Sequence, residues 1–318
     1  MTEARGHHYV SQCYLKRFTH NGSKNSKLFV LDLATGKRFA SAPKNVAKQR
    51  DFNTIEGRPA GELENRLAGF ETEVNKALDV IEQSRTMDNR DAWVRVMNLA
   101  AMFAVRNPRL RENMTQFQAQ IAKVTMSMAL SSREMWESQI SQARASGYIK
   151  PENKATYEEV REFFQRGEYS IKLANAQHIF TEFNVFEDVL RTLVARKWAL
   201  CVAPADSGGF VASDHPICLM NSEGAEAGFR RPIGHGLMET TVIFPITRNL
   251  AAMGTFEGED QVLTLSHEGV AAMNGFVIRH ADRQVYAADD KFLVNSVDGG
   301  FMRGSEVEWT PASGRGRP

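Results

Sequence analysis

The chain has 318 residues, enough for one large domain or two modest ones with a substantial hydrophobic core. Hydrophobic residues make up 42% and charged residues 24%, a balance typical of globular proteins that excludes a disordered chain. The formal net charge of +1 argues against a broadly basic surface that coats nucleic acid, so an anionic partner has to meet a local patch.

Cysteine usage and hydropathy indicate the compartment. Cys13, Cys201 and Cys218 are scattered and lack the Cys-x-x-Cys spacing of a zinc or redox site, so we expect reduced thiols. Residues 1–6 lead into polar sequence without an apolar signal core, and no apolar run approaches the ~20 residues of a membrane span. We therefore expect a cytoplasmic protein without membrane association.

The first predicted element is a β-hairpin over residues 27–40. Residues 28–31 favour a strand, residues 34–37 supply the turn, and residues 38–40 return. The turn contains Gly36-Lys37, but a phosphate-binding loop needs a second spaced glycine and a following helix. A nucleotide-binding P-loop is therefore not expected.

The middle of the chain has helical periodicity. An amphipathic helix is predicted from about residue 60, with apolar residues at three- and four-residue steps: Leu63, Leu67, Phe70, Val74, Leu78 and Ile81. Residues 93–105 are apolar on nearly all sides and predict a central buried helix, which Pro108 should kink or end just after Arg106. The helical spacing continues through Met114, Phe117, Ile121, Val124 and Met128, and then through Trp136 and Ile140 to a break at Gly147.

Two further helices are predicted before the pattern changes. Thr156 and Glu159 fit a capping box that begins a short helix, and another helix runs from Ile179 to Leu193. Because the phenylalanines follow the helical period, we interpret them as core residues rather than as a platform on which bases stack.

The last third returns to β-like sequence. Residues 198–202, 209–212 and 240–244 are predicted as strands of one sheet, Ser266 as the cap of a helix, and residues 284–287 as a last strand. The order predicts an α+β fold, in which a long central helical block (about 60–196) is flanked by N-terminal and C-terminal β segments that share one sheet. We expect a single domain over residues 1–298 with the insertion 60–196, and a flexible tail over 299–318.

Two histidines near the start are candidates for acid–base chemistry. If the chain is extended there, His7 and His8 face opposite ways, so one of them enters a site. His8 is favoured because Tyr9, Gln12 and Leu15 follow it at the spacing of a turn that leads into a helix. The alternative is a surface or locally bonded histidine.

Glu64 and Glu71 are candidate carboxylates on the first long helix. They lie seven residues apart, on one face and roughly 10 Å apart along the axis, which is too far to share a metal unless the side chains lean together. Two separate roles at the edge of a cleft are therefore the functional interpretation, and a solvated helix shoulder is the alternative.

Other candidates lie at the ends of predicted elements. Arg106 either complements the dipole of the buried helix or clamps a phosphate or carboxylate. Asp214 and His215 follow a strand-like run, where they either form a turn or belong to a site. Residues 230–236 form a basic, glycine-punctuated loop that suits a lid, an anion contact or an ordinary surface loop.

Several short motifs follow one another along residues 6–288: His8-Tyr9-Val10-Ser11-Gln12, Asn45-Val46-Ala47, Asp51-Phe52, Glu64 with Glu71, Arg106-Asn107-Pro108, Ser213-Asp214-His215-Pro216 and Phe244-Pro245. In this order they resemble the large, mainly bacterial family called domain of unknown function 4238, for which no activity is established. Ser11 stands where that family usually has Pro, and Asn53 and His215 stand where it often has Tyr and Asn. The resemblance groups His8, Glu64, Glu71, Arg106 and Asp214 as polar positions of one cleft.

The residues support three hypotheses. The first is a phosphodiester- or nucleotide-processing hydrolase, such as a nuclease in bacterial defence against phage, with His8, Glu64, Glu71 and Asp214 as catalytic groups and Gln12, Arg106 and His215 as substrate contacts. The second is a binding or sensor module for an anionic ligand such as a nucleotide. The third is a set of buried salt bridges that ties the β parts to the helical block. The metal is left open, with Mg²⁺ or Mn²⁺ as candidates, and so is the oligomeric state.

Overall fold

The computed structural model describes residues 5–59, 61–150, 152–221, 233–296 and 298–309. They form two compact units, one from Met1–Asn107 with Asn175–Pro318 and one from Pro108–Ala174. Within these ranges no helix is both long enough and apolar enough to cross a membrane.

The described residues contain eight helices. In chain order they are α1 (Gln12–Leu15), α2 (Glu62–Ser84), α3 (Arg90–Val105), α4 (Pro108–Ala129), α5 (Arg133–Ala145), α6 (Tyr157–Arg166), α7 (Asn175–Val194) and α8 (His267–His280). Short 3₁₀ turns at Lys16–Phe18 and Pro43–Asn45 complete the helical segments.

The strands precede and follow the helical block. They are β1 (Gly6–His8), β2 (Leu28–Asp32), β3 (Lys37–Ser41), β4 (Lys48–Arg50), β5 (Lys197–Val202), β6 (Ala212–Ser213), β7 (Cys218–Asn221), β8 (Thr240–Pro245), β9 (Leu250–Thr255), β10 (Gln261–Thr264), β11 (Gln284–Ala287), β12 (Leu293–Asn295) and β13 (Phe301–Arg303). The predicted α+β class is confirmed.

Two larger sheets and two small ones are formed. The larger sheets have the strand orders β10-β5-β9-β8-β7 and β3-β2-β11-β6, while β1 pairs with β4 and β12 with β13. Because β2 pairs antiparallel with β11, the N-terminal hairpin and the C-terminal β segment share a sheet, as predicted. The prediction of one common sheet for residues 198–202, 209–212 and 240–244 is wrong, because β6 pairs with β11 instead.

The helix boundaries follow local capping rules. The side chain of Asn89 caps α3, which ends at Val105. Pro108 is the first residue of α4, a position whose N–H would have no partner within the helix. The predicted capping box of Thr156 and Glu159 begins α6. The predicted continuation of one helix through Trp136 is wrong. Helix α4 ends at Ala129, and α5 begins at Arg133, where the side chain of Ser132 accepts a hydrogen bond from the Met135 N–H.

Two further expectations are corrected. Phe117, Phe163, Phe180 and Phe183 are exposed, so the interpretation of the phenylalanines as core does not hold for these four. Within the predicted flexible tail, β13 is an ordered strand that pairs with β12. Residues 310–318 lie outside the described residues.

Tyr14 fixes the opening segment to the core. Its ring is fully buried against Phe18, Phe103 and Phe244, at centroid distances of 5.1, 5.0 and 5.7 Å. Its hydroxyl donates a 2.8 Å hydrogen bond to the backbone carbonyl of Pro245 in β8. The segment that carries His8 and Gln12 is therefore held against both a helix and a sheet of the first unit.

Tyr14→Phe keeps the ring packing but leaves the buried Pro245 carbonyl without this donor. We expect a loss of roughly 1–2 kcal/mol in the free energy of unfolding, measured by urea denaturation followed by circular dichroism. Tyr148→Phe is the control, because this tyrosine is 87% exposed and its variant should unfold like the wild type. Equal midpoints for Tyr14→Phe and the wild type would contradict the assignment.

Candidate functional site

A small polar cleft lies beside the opening segment. It is lined by His8, Gln12, Glu64, Leu67, Ala68 and Glu71 and has a volume of about 90 Å³. Four of the residues predicted for a site therefore meet in one place. The volume is room for several water molecules or one small polar group, well below the ~300 Å³ of a pocket that encloses a whole ligand.

Strand pairing decides which histidine enters the cleft. β1 pairs antiparallel with β4 so that His8 lies opposite Lys48, and successive side chains of the strand face opposite ways. His8 lines the cleft, whereas His7 is buried on the other face. There Nδ1 of His7 accepts a 2.9 Å hydrogen bond from the backbone N–H of Asn53.

Arg17 sets the position of the opening segment against α2. Its buried guanidinium donates to Oδ1 of Asp79 at 2.6 Å, to Oε2 of Glu82 at 3.0 Å and to Oδ1 of Asn75 at 2.9 Å. All three partners lie on α2, the helix that carries Glu64 and Glu71. This contact and the core packing of Tyr14 hold Gln12 and His8 facing the two glutamates.

The two glutamates differ in their electrostatic environment. Burial, and then the negative charge of Glu64, raise the pKa of Glu71 to about 7, while the positive charge of Arg106 opposes the rise. The carboxylate of Glu64 accepts a hydrogen bond from Nδ2 of Asn53. Glu71 therefore holds its proton to a higher pH than an ordinary glutamate does, and the neighbouring Glu64 is held by a hydrogen-bond donor.

His8 is shifted towards its neutral form. Burial, and then the positive charge of Lys48, lower its pKa, while the backbone at Pro43 and Lys44 and the charge of Glu64 act in the opposite direction. Its Nε2 is buried and has no hydrogen-bond partner among the residues that the structure describes.

Asn53 connects the cleft to Arg106 and was not predicted as a site residue. Its buried side chain accepts from the guanidinium of Arg106 through Oδ1 and donates to Glu64 through Nδ2. The only sequence signal was its place directly after the Asp51-Phe52 motif, at a position where the family often has Tyr. An amide can donate and accept at once, and this allows it to join a cation to a carboxylate.

Arg106 lies behind the cleft and does not line it. The guanidinium is buried 5.3 Å from the ring centroid of Phe52, and its Nε lies 3.9 Å from Oε2 of Glu182. Its influence reaches the cleft through Asn53 and through the charge that lowers the pKa of Glu71. The contacts therefore favour the salt-bridge interpretation of Arg106 over the clamp on a substrate.

Asp214 and His215 are not brought to this cleft. Both carboxylate oxygens of Asp214 accept backbone N–H groups, from Asp282, Arg283 and Gln284, each at 2.9 Å. Burial, and then the charge of Asp282, raise its pKa to about 7, and the three N–H donors oppose the rise. The backbone N–H of His215 donates to Oγ of Ser213 at 3.1 Å. Asp214 therefore holds β6 against the segment that leads into β11.

The remaining expectations concern a loop and a metal. In the predicted basic loop, Arg230, Arg231 and Pro232 lie outside the described residues. The carbonyl of His235 accepts a 2.7 Å hydrogen bond from the buried Arg196.

Throughout the described ranges, no group of three or more His, Cys, Asp or Glu side chains is placed to hold a metal ion.

Asp214→Ala should leave three backbone N–H groups without their acceptor. We expect a loss of about 3 kcal/mol or more in the free energy of unfolding, because each unpaired buried donor costs roughly 1–3 kcal/mol. Urea denaturation measures the loss, and Asp298→Ala, at an exposed position, is the matched control. A catalytic Asp214 without this structural role would instead leave the unfolding midpoint unchanged.

Comparison with known proteins agrees with the motif order. The model of the family described as protein of unknown function, DUF4238, matches residues 6–291. No curated protein and no solved structure shows significant similarity to the chain. The match includes the opening histidine motif, the cleft residues and Asp214, and the chain belongs to the DUF4238 family.

Proposed function

We propose that the cleft is the active site of a hydrolase that acts on a phosphodiester bond or a nucleotide. One observation carries the proposal: a histidine shifted towards its neutral form and a glutamic acid with a pKa of about 7 line the same small cavity. Two groups whose environments push them into complementary protonation states are suited to act as base and acid.

His8 is the general base and Glu71 the general acid in this proposal. Neutral His8 takes a proton from a water molecule as that water attacks phosphorus. Protonated Glu71 gives its proton to the oxygen that leaves, so one ester bond breaks as one bond to the water oxygen forms. Glu64 keeps Glu71 protonated through its negative charge, and the contact with Asn53 holds Glu64 in position.

The charges of the cleft restrict how an anion binds. Two ionised glutamates repel a phosphate, and protonation of Glu71 removes one of these charges while adding a donor. The amide of Gln12 is a second donor in the lining, and the exposed Lys48 lies close enough to His8 to affect its pKa. The cavity holds the reacting group, and the rest of the substrate lies outside it.

The pH dependence of hydrolysis tests these roles. Activity needs neutral His8 and protonated Glu71, so kcat/KM rises with pH through the lowered pKa of His8, below 6.5, and falls above pH about 7. Glu71→Gln should reduce kcat/KM by roughly 10²–10⁴-fold and remove the fall at high pH. Glu73→Gln is the control, since Glu73 lies on the same helix and pairs with Lys76 at the surface. A fall that persists in Glu71→Gln belongs to another group.

His8→Asn tests the base directly. Hydrolysis of RNA, DNA and nucleotides is measured with and without Mg²⁺ or Mn²⁺, and we expect a loss of roughly 10²–10⁴-fold against wild type. His20→Asn is the control, because His20 is exposed and outside the cleft. Wild-type activity in His8→Asn would exclude the proposed base. Cleavage of RNA or DNA by the wild type would support the nuclease form of the proposal. A role in bacterial defence further requires that bacteria that express the wild type resist phage infection and that bacteria that express His8→Asn do not.

A binding or sensor module for an anionic ligand is the alternative outcome. The same nucleotides are added in a thermal-shift experiment, and each is recovered and analysed afterwards. Stabilisation with the ligand recovered unchanged, and lost in His8→Asn, favours binding without turnover.

A further inference from the structure

The second unit has hardly any hydrophobic core of its own. Among its described residues, Arg111, Leu130 and Trp136 are buried, and every other residue is half-buried or exposed. Helix α4 is exposed on nearly all sides from Gln116 to Met128, and Lys123 is the one charged residue in that stretch. A helix with so little charge and so little packing is only marginally stable in water by itself.

The apolar residues of α4 form one seam. Met114, Phe117, Ile121, Val124 and Met128 follow one another at steps of three, four, three and four residues. This is the 3.5-residue repeat that places side chains against a second, supercoiled helix. Four of them are strongly exposed: Phe117 by 60%, Ile121 by 45%, Val124 by 60% and Met128 by 67%. The repeat therefore specifies a helical occupant rather than an irregular peptide or a small ligand.

We propose that the α4 seam, defined as these five residues, pairs with the same seam of a second copy of this chain. The positions that flank a coiled-coil seam usually carry charges that select a different partner or repel an identical one. Beside the five seam residues they are uncharged in the described helix, at Asn113, Gln118, Gln120, Thr125 and Ser127. Arg111, the equivalent position one repeat before Gln118, is buried. Two identical seams therefore meet without like-charge repulsion, and a two-fold arrangement closes on itself.

The size of the α4 seam sets the expected affinity of the dimer. The five apolar residues and their five flanking neighbours make ten, between a third and a half of the roughly 20–30 residues per side of a standard interface. The dimer should therefore be of moderate affinity, with dissociation in the micromolar range. This inference is independent of the proposed hydrolase activity.

Sedimentation velocity of the full chain over roughly two decades of concentration around the micromolar range tests the proposal. We expect reversible dimerisation of the wild type and a loss of at least about tenfold in affinity for Ile121→Glu, which places like charges in the paired seam. Ala122→Glu is the matched control, because it adds the same charge at an exposed position outside the seam and should dimerise like the wild type.

Met128→Gln provides a second, milder test at a 67% exposed position. It removes an apolar group without adding charge, so a severalfold weaker dimer is expected while circular dichroism stays that of the wild type. A wild type that remains monomeric throughout the range overturns the proposal. So does a dimer whose affinity is unchanged in both Ile121→Glu and Met128→Gln, since its interface then lies elsewhere.

Discussion

The side chain of Asn53 joins a buried cation to a carboxylate of the cleft, and the arrangement of the site depends on that link. The guanidinium of Arg106 is buried, so its charge requires partners, and Asn53 and Glu182 are two of them. The other end of the Asn53 amide holds Glu64, while its backbone N–H is fixed by His7. One residue therefore connects β1, the segment before α2, the end of α3 and the wall of the cleft.

Helix geometry then produces the asymmetry between the two glutamates. Glu64 and Glu71 lie about two turns apart on one face of α2, so both reach the cleft, but Asn53 donates to Glu64. Glu71 is left with burial and with the repulsion from Glu64, and both raise its pKa. The two glutamates lie on the same helix face, but their different surroundings give them different protonation behaviour.

Local patterns in the sequence were sufficient to predict most helices and strands and some of the residues that line the cleft. The hairpin, α2, α3 and the capping box of α6 follow from periodicity and end signals within a few residues. Strand alternation indicated that one of the two histidines faces a site, and helix spacing placed Glu64 and Glu71 on one face. The family resemblance supplied the grouping of His8 with the two glutamates, which line the same cleft. Periodicity and spacing require no knowledge of what packs against a face, but they do not show which faces meet.

The remaining features depend on contacts between distant parts of the chain. Ala212 pairs with Tyr286, so the division of the strands into two sheets was not visible in either segment. The sequence position of Asp214 is typical of a catalytic residue, but its carboxylate oxygens accept hydrogen bonds from the N–H groups of residues 282–284, which are about 70 residues away in the sequence. No spacing or periodicity in the sequence marks Asn53, because the role of its amide depends on which side chains the fold brings next to it.

The raised pKa of Glu71 also has a consequence for stability. A carboxyl with a pKa of about 7 in the folded chain and 4.5 as its ordinary value is protonated more readily when folded. Its contribution favours the folded state at low pH and is lost as pH rises from about 4.5 to about 7, an effect on the order of 3 kcal/mol. Tyr14 and Arg17 hold His8 and Gln12 against α2, and such anchoring offsets the repulsion that the two glutamates create. The buried packing that surrounds the cleft is thus what permits the cleft to keep an unfavourable pair of acids together.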